Sequence, residues 1–236
     1  MEKHLLEVKN LSISFTQYER GTRQTSLQVI RGLDVTVDPG ELVAVIGSSG
    51  SGKSLLAHAV MGILPYNASA SGEILYRGEV LTPRRQKELR GKEIVLVPQS
   101  VSYLDPLMKV GEQVRNGRRG EAIREKCRRI LGSYGLGPET ENLYPFQLSG
   151  GMTRRVLISS AVMEEPRLVI ADEPTPGLHL EAAKRVLGHF KEMTETGAGV
   201  LLITHDLELA LEVADRVAVL YAGMTVEETD SRAFDR

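Results

Sequence analysis

Eight residues, GSSGSGKS from Gly47 to Ser54, constrain this chain more than any other stretch. They fill every position of the pattern G-x-x-x-x-G-K-[ST]. The apolar run ELVAVIG precedes them, and KSLLAHAVMGI, with apolar residues at helical spacing, follows. The pattern predicts a buried strand, a tight turn and a helix. Glycines let such a turn fold so that successive backbone N–H groups point inward at an anion. The helix that follows adds its positive N-terminal end. Gly47, Ser48, Ser49, Gly50, Ser51 and Gly52 are therefore the expected cradle for phosphate oxygens. Lys53 is expected to neutralise β- and γ-phosphates, and the Ser54 hydroxyl to ligate Mg²⁺. The implied ligands are ATP and Mg²⁺.

The chain around this turn changes character twice. Before it, LLEVKNLSISF and LQVIRGLDVTV alternate apolar and polar residues as half-buried antiparallel strands do, with the polar RGTRQTS between them. GEILYRGEV, further on, reads as another short strand. From about Pro106 to Met163 the chain is rich in Arg, Glu and Gly and reads as a mostly helical insertion. After it, RLVIA, LEAAKRVLGHFKEMTE, GVLLIT, DLELALEVA and RVAVLYAG alternate strand and helix, which predicts a parallel sheet with crossover helices. The expected fold class is α/β in one domain of three parts. Residues 1–98 form a nucleotide-binding core with an antiparallel β subdomain, 99–163 a helical subdomain, and 164–236 the rest of the core.

Composition removes several classes of function. Lys plus Arg is 29 against 31 for Asp plus Glu, without the basic excess usual in a dedicated nucleic-acid binder. The one cysteine, Cys127, excludes an internal disulfide framework and reads as a small apolar residue on a charged helix. MEKHLLEVKN carries no apolar h-region, so no signal peptide is expected. No apolar run approaches the roughly 20 residues of a membrane span, so any work at a membrane is that of a peripheral subunit.

A second constellation completes the first. RLVIADE is a buried strand ending in adjacent acids, Asp172 and Glu173. Asp172 is expected to hold Mg²⁺ through its water shell, and Glu173 to act as general base on the attacking water. Two carboxylates can share that place because Mg²⁺ and Lys53 offset their charge. Together the two constellations predict a P-loop NTPase (RecA-like) core.

LSGGM, Leu148 to Met152, lies between the glycine-rich turn and the acidic strand. It resembles the signature motif of ABC-transporter ATPases. Gln99 in VLVPQS resembles that family's Q-loop, and His205 in LLITHD its switch histidine. The five landmarks stand in the family's order over almost the whole chain. The resemblance implies that Ser149, Gly150 and Gly151 cap the γ-phosphate of ATP held by a second cassette. It also implies that His205 holds Glu173 and water in place. Gln99 then touches Mg²⁺ or water and relays the nucleotide state to the helical subdomain, which docks the membrane partner. Phe15, ending LSISF, best fits the family's adenine-stacking position, with Tyr18 close behind.

Several stretches look most like the peptide and nickel uptake branch: SGEILYRGE, LYPFQLSGGM and ITHDLELALEVADRVAVLYAG. That likeness implies an ATP-hydrolysing motor subunit on the cytoplasmic face of a prokaryotic membrane. Its partners are a second ATPase subunit, identical or a sister, two permeases and, indirectly, an extracellular binding protein. The cargo, whether peptide, nickel or a metal–metallophore complex, is selected by those partners.

The likeness frays at two places. After DEPT the family usually has an Asp where PGLHL puts His179. A neutral imidazole cannot replace a carboxylate's charge, so a catalytically weakened member of a heterodimer is the alternative reading. The chain ends at SRAFDR, without the tail that in some relatives carries an iron–sulfur site, so no cluster is expected. A non-transport ABC ATPase usually has a long coiled coil or two cassettes, and neither is present in this sequence.

Overall fold

The computed structural model describes residues 4–18, 24–48, 50–231 and 233. The two alternating runs become long strands, β1 (Leu6–Tyr18) and β2 (Gln24–Val37), paired antiparallel. The continuously apolar run becomes β3 (Leu42–Ile46), buried at every residue. Helix α1 (Lys53–Met61) leaves the glycine-rich turn. The expected single strand GEILYRGEV is instead a hairpin, β4 (Ala68–Tyr76) and β5 (Glu79–Val80). Arg77 and Gly78 at its tip both have positive φ, 53° and 75°, as the tight turns that suit right-twisted strands require. β1 sits between β2 and β4, so the order in this four-stranded sheet is β2-β1-β4-β5.

Helix α2 (Pro83–Leu89), opened by the Thr82 cap, and the short strand β6 (Ile94–Val97) come next. The expected helical segment contains α3 (Val110–Val114), α4 (Glu121–Ser133) and α5 (Gly150–Val162), joined by 3-10 turns. The alternating last third gives β7 (Leu168–Asp172), α6 (Leu180–Glu195), β8 (Gly199–Thr204), α7 (Leu207–Val213) and β9 (Arg216–Tyr221). An antiparallel edge strand, β10 (Met224–Asp230), follows. Its polar, half-exposed sequence gave no strand signal.

The second sheet has the order β10-β9-β3-β8-β7-β6, parallel from β9 to β6. Each central strand sends alternate side chains to two cores, which is why its sequence is apolar throughout. Val43, Val45, Ile170, Leu201 and Ile203 face α1 and the antiparallel sheet. Leu42, Ala44, Val169, Val200 and Leu202 pack with α5, α6 and α7. A third core, around Val110, Val114, Leu131 and Val156, holds the helical segment together, and Cys127 is buried in it. Burial pushes the Cys127 thiol up, away from the reactive thiolate. Among the described residues no helix is long and apolar enough to cross a membrane. The C-terminal ends of the parallel strands β3 and β7 thus bring two distant pieces of sequence to one edge.

Candidate nucleotide site

The glycine-rich turn sits over β3, and close approach dictates its residue types. A Cβ on Gly47 would lie 2.3 Å from the Leu220 carbonyl oxygen. Gly52 caps α1 with φ 93°, and a Cβ there would lie 2.5 Å from Ile30 Cδ1. No other residue fits either position without moving the backbone or the β2 side chain. Ser51 Oγ is buried and has no partner among the described residues, as a group waiting for a ligand oxygen would be. Ser49 lies outside the described residues.

Lys53 is 6% exposed. Its Nζ donates to the carbonyls of Gly47 and Ser48 at 2.7 and 2.9 Å, so the ammonium is folded back across the turn. Burial pulls its pKa down, and the carboxylates of Glu173 and Asp172 pull it partly back. The result is a desolvated cation beside the turn, an arrangement that favours an anion.

β7 brings Asp172 opposite. Ser54 Oγ donates to Asp172 Oδ1 at 3.1 Å. Asp172 is 3% exposed, and burial raises its pKa while the Ser54 hydrogen bond lowers it. These are two hard oxygen donors. Mg²⁺ is held in such sites by one or two protein oxygens, with water and substrate phosphate completing the shell. Among the described residues no group of three or more His, Cys, Asp and Glu could cage a metal. The donor set therefore fits Mg²⁺ arriving with a phosphate.

Glu173 is also buried, and its φ of 48° lies in the left-handed region. Such a conformation costs on the order of 1–3 kcal/mol for a side-chain-bearing residue, so something must hold it. Its N–H donates to the Ile203 carbonyl at 2.8 Å. His205 Nδ1 lies 2.8 and 2.9 Å from the two carboxylate oxygens, and Thr204 Oγ1 donates at 3.4 Å. The Thr204–His205 turn at the end of β8 thereby aims Glu173. A cavity of about 280 Å³ is lined by Val29, Gly50, Lys53, Gln99 and Glu173, among others. Lys53, Ser54, Gln99, Asp172, Glu173 and His205, more than 150 residues apart at the extremes, are thus brought together.

Four further positions or stretches were singled out in the sequence. Ser149, Gly150 and Gly151 open α5, with the Ser149 hydroxyl accepting from Met152 N–H at 3.3 Å, but they do not line this cavity. Phe15 is half-buried against the core beneath the antiparallel sheet and does not line it either, whereas Val29 of β2 does. Tyr18 is in β1, with its side chain outside what is described. His179 is exposed and caps α6, its Nδ1 accepting from Ala182 N–H at 3.3 Å.

Sequence reasoning missed Arg154. It is 6% exposed on α5, and its Nη1 donates to the Pro98 carbonyl at 2.9 Å, one residue before Gln99. The signal was available: Arg154 stands three and four residues before the buried Leu157 and Ile158, on the apolar stripe of the helix.

The family model described as ABC transporter matches residues 30–176. The oligopeptide transport ATP-binding protein OppD of Bacillus subtilis is 40% identical over 94% of this chain and 65% of its own length. The dipeptide transport ATP-binding protein DppD of the same organism is 39% identical over 96% of this chain and 70% of its own. The glutathione import ATP-binding protein GsiA of Pectobacterium atrosepticum is 36% identical, with only 39% of its length spanned by this chain. The chain thus spans between about two fifths and seven tenths of these relatives. Among solved structures, the dimeric bacterial ABC transporter cassette MJ0796 superposes with a TM-score of 0.82 at 27% identity, covering 96% of this chain and 99% of that one. A second structure of that cassette, described as a post-hydrolysis state bound to ADP and Pi, matches equally. The glycine-rich turn, the paired acids and the separate glycine turn on α5 therefore stand in a chain that belongs to the ABC transporter family.

Proposed function

We propose that this chain is the ATP-hydrolysing motor subunit of a peptide-class importer. The observation that carries the reading is one cavity lined by Lys53, Ser54 and Glu173, with Asp172 hydrogen-bonded to Ser54 and His205 to Glu173. Lys53 leaves its carbonyl contacts to neutralise the triphosphate. Ser54 and Asp172 hold Mg²⁺, which supplies further charge neutralisation on the β- and γ-phosphates. Glu173 takes the proton of a water that attacks the γ-phosphoryl in line, while His205 fixes the carboxylate's orientation. Gln99, exposed on the cavity wall, senses which nucleotide is bound.

The turn on α5 supports a site shared with a second cassette. Gly150 has no positive φ, and a Cβ there would meet nothing within 4 Å among the described residues. Among the described residues nothing requires glycine there, which suits close approach by a ligand from outside. Ser149, Gly150 and Gly151 then serve the partner's ATP through their N–H groups and helix dipole. Phe15 or Tyr18 stacks on adenine.

An apolar groove of about 460 Å³ offers a place for a permease segment. Met61, Ile63, Leu96, Tyr103, Leu157 and Ala161 are among its lining, and Tyr103 is exposed. It joins α1, the loop after Gln99 and α5, so docking there couples to the nucleotide site. Peptide cargo is favoured over nickel by the oligopeptide, dipeptide and glutathione systems to which the matched relatives belong. The protein then works peripherally on the cytoplasmic face.

The test is the solution mass of Glu173→Gln with and without MgATP, by light scattering. ATP-dependent dimers are expected, because slowed hydrolysis traps the closed pair. Monomers that bind ATP point to an obligate sister subunit. Wild-type protein that binds no ATP sinks the reading.

A further inference from the structure

The segment that runs from α3 into α4 is strongly basic. Residues 109–129 hold eight basic side chains against three acidic ones, in a chain whose net charge is -2. Two adjoining cavities of about 440 and 230 Å³ open there and share Glu112, Arg115 and Arg124 as walls. Lys109, Arg115, Arg118, Arg119, Arg124 and Arg128 line them, against the carboxylates of Glu112 and Glu141. Three of these cations are engaged. Arg115 and Arg128 bond Glu141 at 3.3 and 3.1 Å, and Arg118 pairs with Glu164 at 2.9 Å. Among the described residues Lys109, Arg119 and Arg124 make no ion pair. Asn116, Gly117 and Gly120 have positive φ, 50°, 71° and 118°, and turn the chain so that Arg118 and Arg119 line the larger cavity. A cleft walled by unneutralised cations focuses a positive potential, and guanidinium forks match phosphate oxygens two at a time.

An apolar tip stands beside this cleft. Gln113 of α3 accepts from Asp105 N–H at 2.8 Å and donates to the Asp105 and Met108 carbonyls at 3.0 and 2.7 Å. The Asp105 carboxylate accepts from Leu107 N–H at 2.9 Å. This clamp holds out Leu107, which is 86% exposed, and Met108, which also lines the larger cavity. A lone exposed leucine is ordinary. One pinned beside a cationic cleft is the pairing of features that suits an anionic bilayer surface. Cations spread over two cavities suit several phosphates, and an apolar tip suits an apolar phase behind them.

We propose that this cleft and tip dock on an anionic phospholipid surface. Headgroup phosphates meet Lys109, Arg119 and Arg124, while Leu107 enters the boundary of the acyl chains. The docking goes beyond the proposed motor role and does not depend on ATP.

The test is co-sedimentation of the whole chain with vesicles of phosphatidylcholine, alone or mixed with phosphatidylglycerol. Binding is expected only with phosphatidylglycerol, and raised salt should weaken it. A basic residue near such a surface contributes roughly fivefold, so Arg119→Gln and Arg124→Gln together should weaken binding by roughly 25-fold. Leu107→Ser should weaken it severalfold with the melting temperature unchanged. The control is Arg84→Gln with Lys87→Gln, which removes the same charge from exposed positions on α2 and should leave binding as it was. An equal loss in the control overturns the proposal, as does unchanged binding in the paired arginine variant. Wild-type protein that binds no vesicle, or binds phosphatidylcholine alone as well, also overturns it. Capture of polyglutamate through the same two arginines, without vesicle binding, overturns it in favour of an acidic protein partner. ATP affinity of the same preparations is a separate readout. Protein that binds ATP but no vesicle keeps the motor reading and loses this one, and vesicle binding without ATP binding does the reverse.

Discussion

The turn from Gly47 to Ser54 and the turn from Leu148 to Met152 both open a helix with glycine beside serine. Their surroundings differ in kind. In the first, the glycines are dictated by this chain, since Gly47 would strike the Leu220 carbonyl and Gly52 a β2 side chain. Lys53, Asp172 and Glu173 beside it are buried and mutually engaged. In the second, Ser149 and Gly150 are exposed, and added carbon at Gly150 meets open space. Glycine enforced from within marks a site that one chain builds. Glycine without an internal reason marks a surface shaped for something outside.

Substitutions can break that comparison. The largest effect is expected for Lys53→Ala, which removes a buried charged donor to phosphate. A charged hydrogen bond contributes up to about 3 kcal/mol, so ATP affinity should fall by about 100-fold, read by equilibrium binding. Retained affinity would show that backbone N–H groups alone suffice. Next comes Gly47→Ala. Overpacking against a backbone carbonyl costs roughly 1–3 kcal/mol, so the melting temperature should drop by several degrees.

Gly150→Glu is the mirror case. Its melting temperature should stay within about 1 °C of wild type, since surface changes away from special backbone are worth about 0.5 kcal/mol at most. ATP-dependent pairing and hydrolysis should nonetheless fall about tenfold or more if the proposed shared site forms, because the new carboxylate would then face a phosphate across the pair. Unchanged turnover in a paired protein would show that this turn does not serve a partner's nucleotide. The smallest effect concerns His179→Asp. His179 caps α6 through a 3.3 Å hydrogen bond from Ala182. An aspartate there is a better cap and meets the helix dipole, which should add about 0.5–1 kcal/mol in chemical denaturation. A loss of stability would show that the imidazole does more than cap. Hydrolysis rates of the same variant test whether His179 weakens the site.

Much of the site was legible because its chemistry is local in sequence. A phosphate cradle needs consecutive N–H groups, so GSSGSGKS had to be contiguous, and a strand buried on both faces had to be apolar throughout, as LVIAD is. The same locality explains what was missed. β10 is polar and pairs only because β9 offers an edge, and β6 is four residues long, so neither carries a periodic signal. Arg154 was read as one more charged residue in an Arg-rich stretch, although helical phase places it on a buried stripe.

The sequence by itself determined the residue types at each strand end and helix start, since short-range geometry and hydrogen bonding select them. Only the tertiary structure decided which ends meet. The parallel register of β3, β8 and β7 sets Ser54 against Asp172 and His205 against Glu173, and that register comes from burial on both faces of the sheet. The fold likewise separated the α5 turn from the cavity, so two glycine-rich turns alike in sequence face different neighbours. Which carboxylate is strained, which lysine is desolvated and which arginine is buried are properties of packing, because each depends on what the rest of the chain excludes from water.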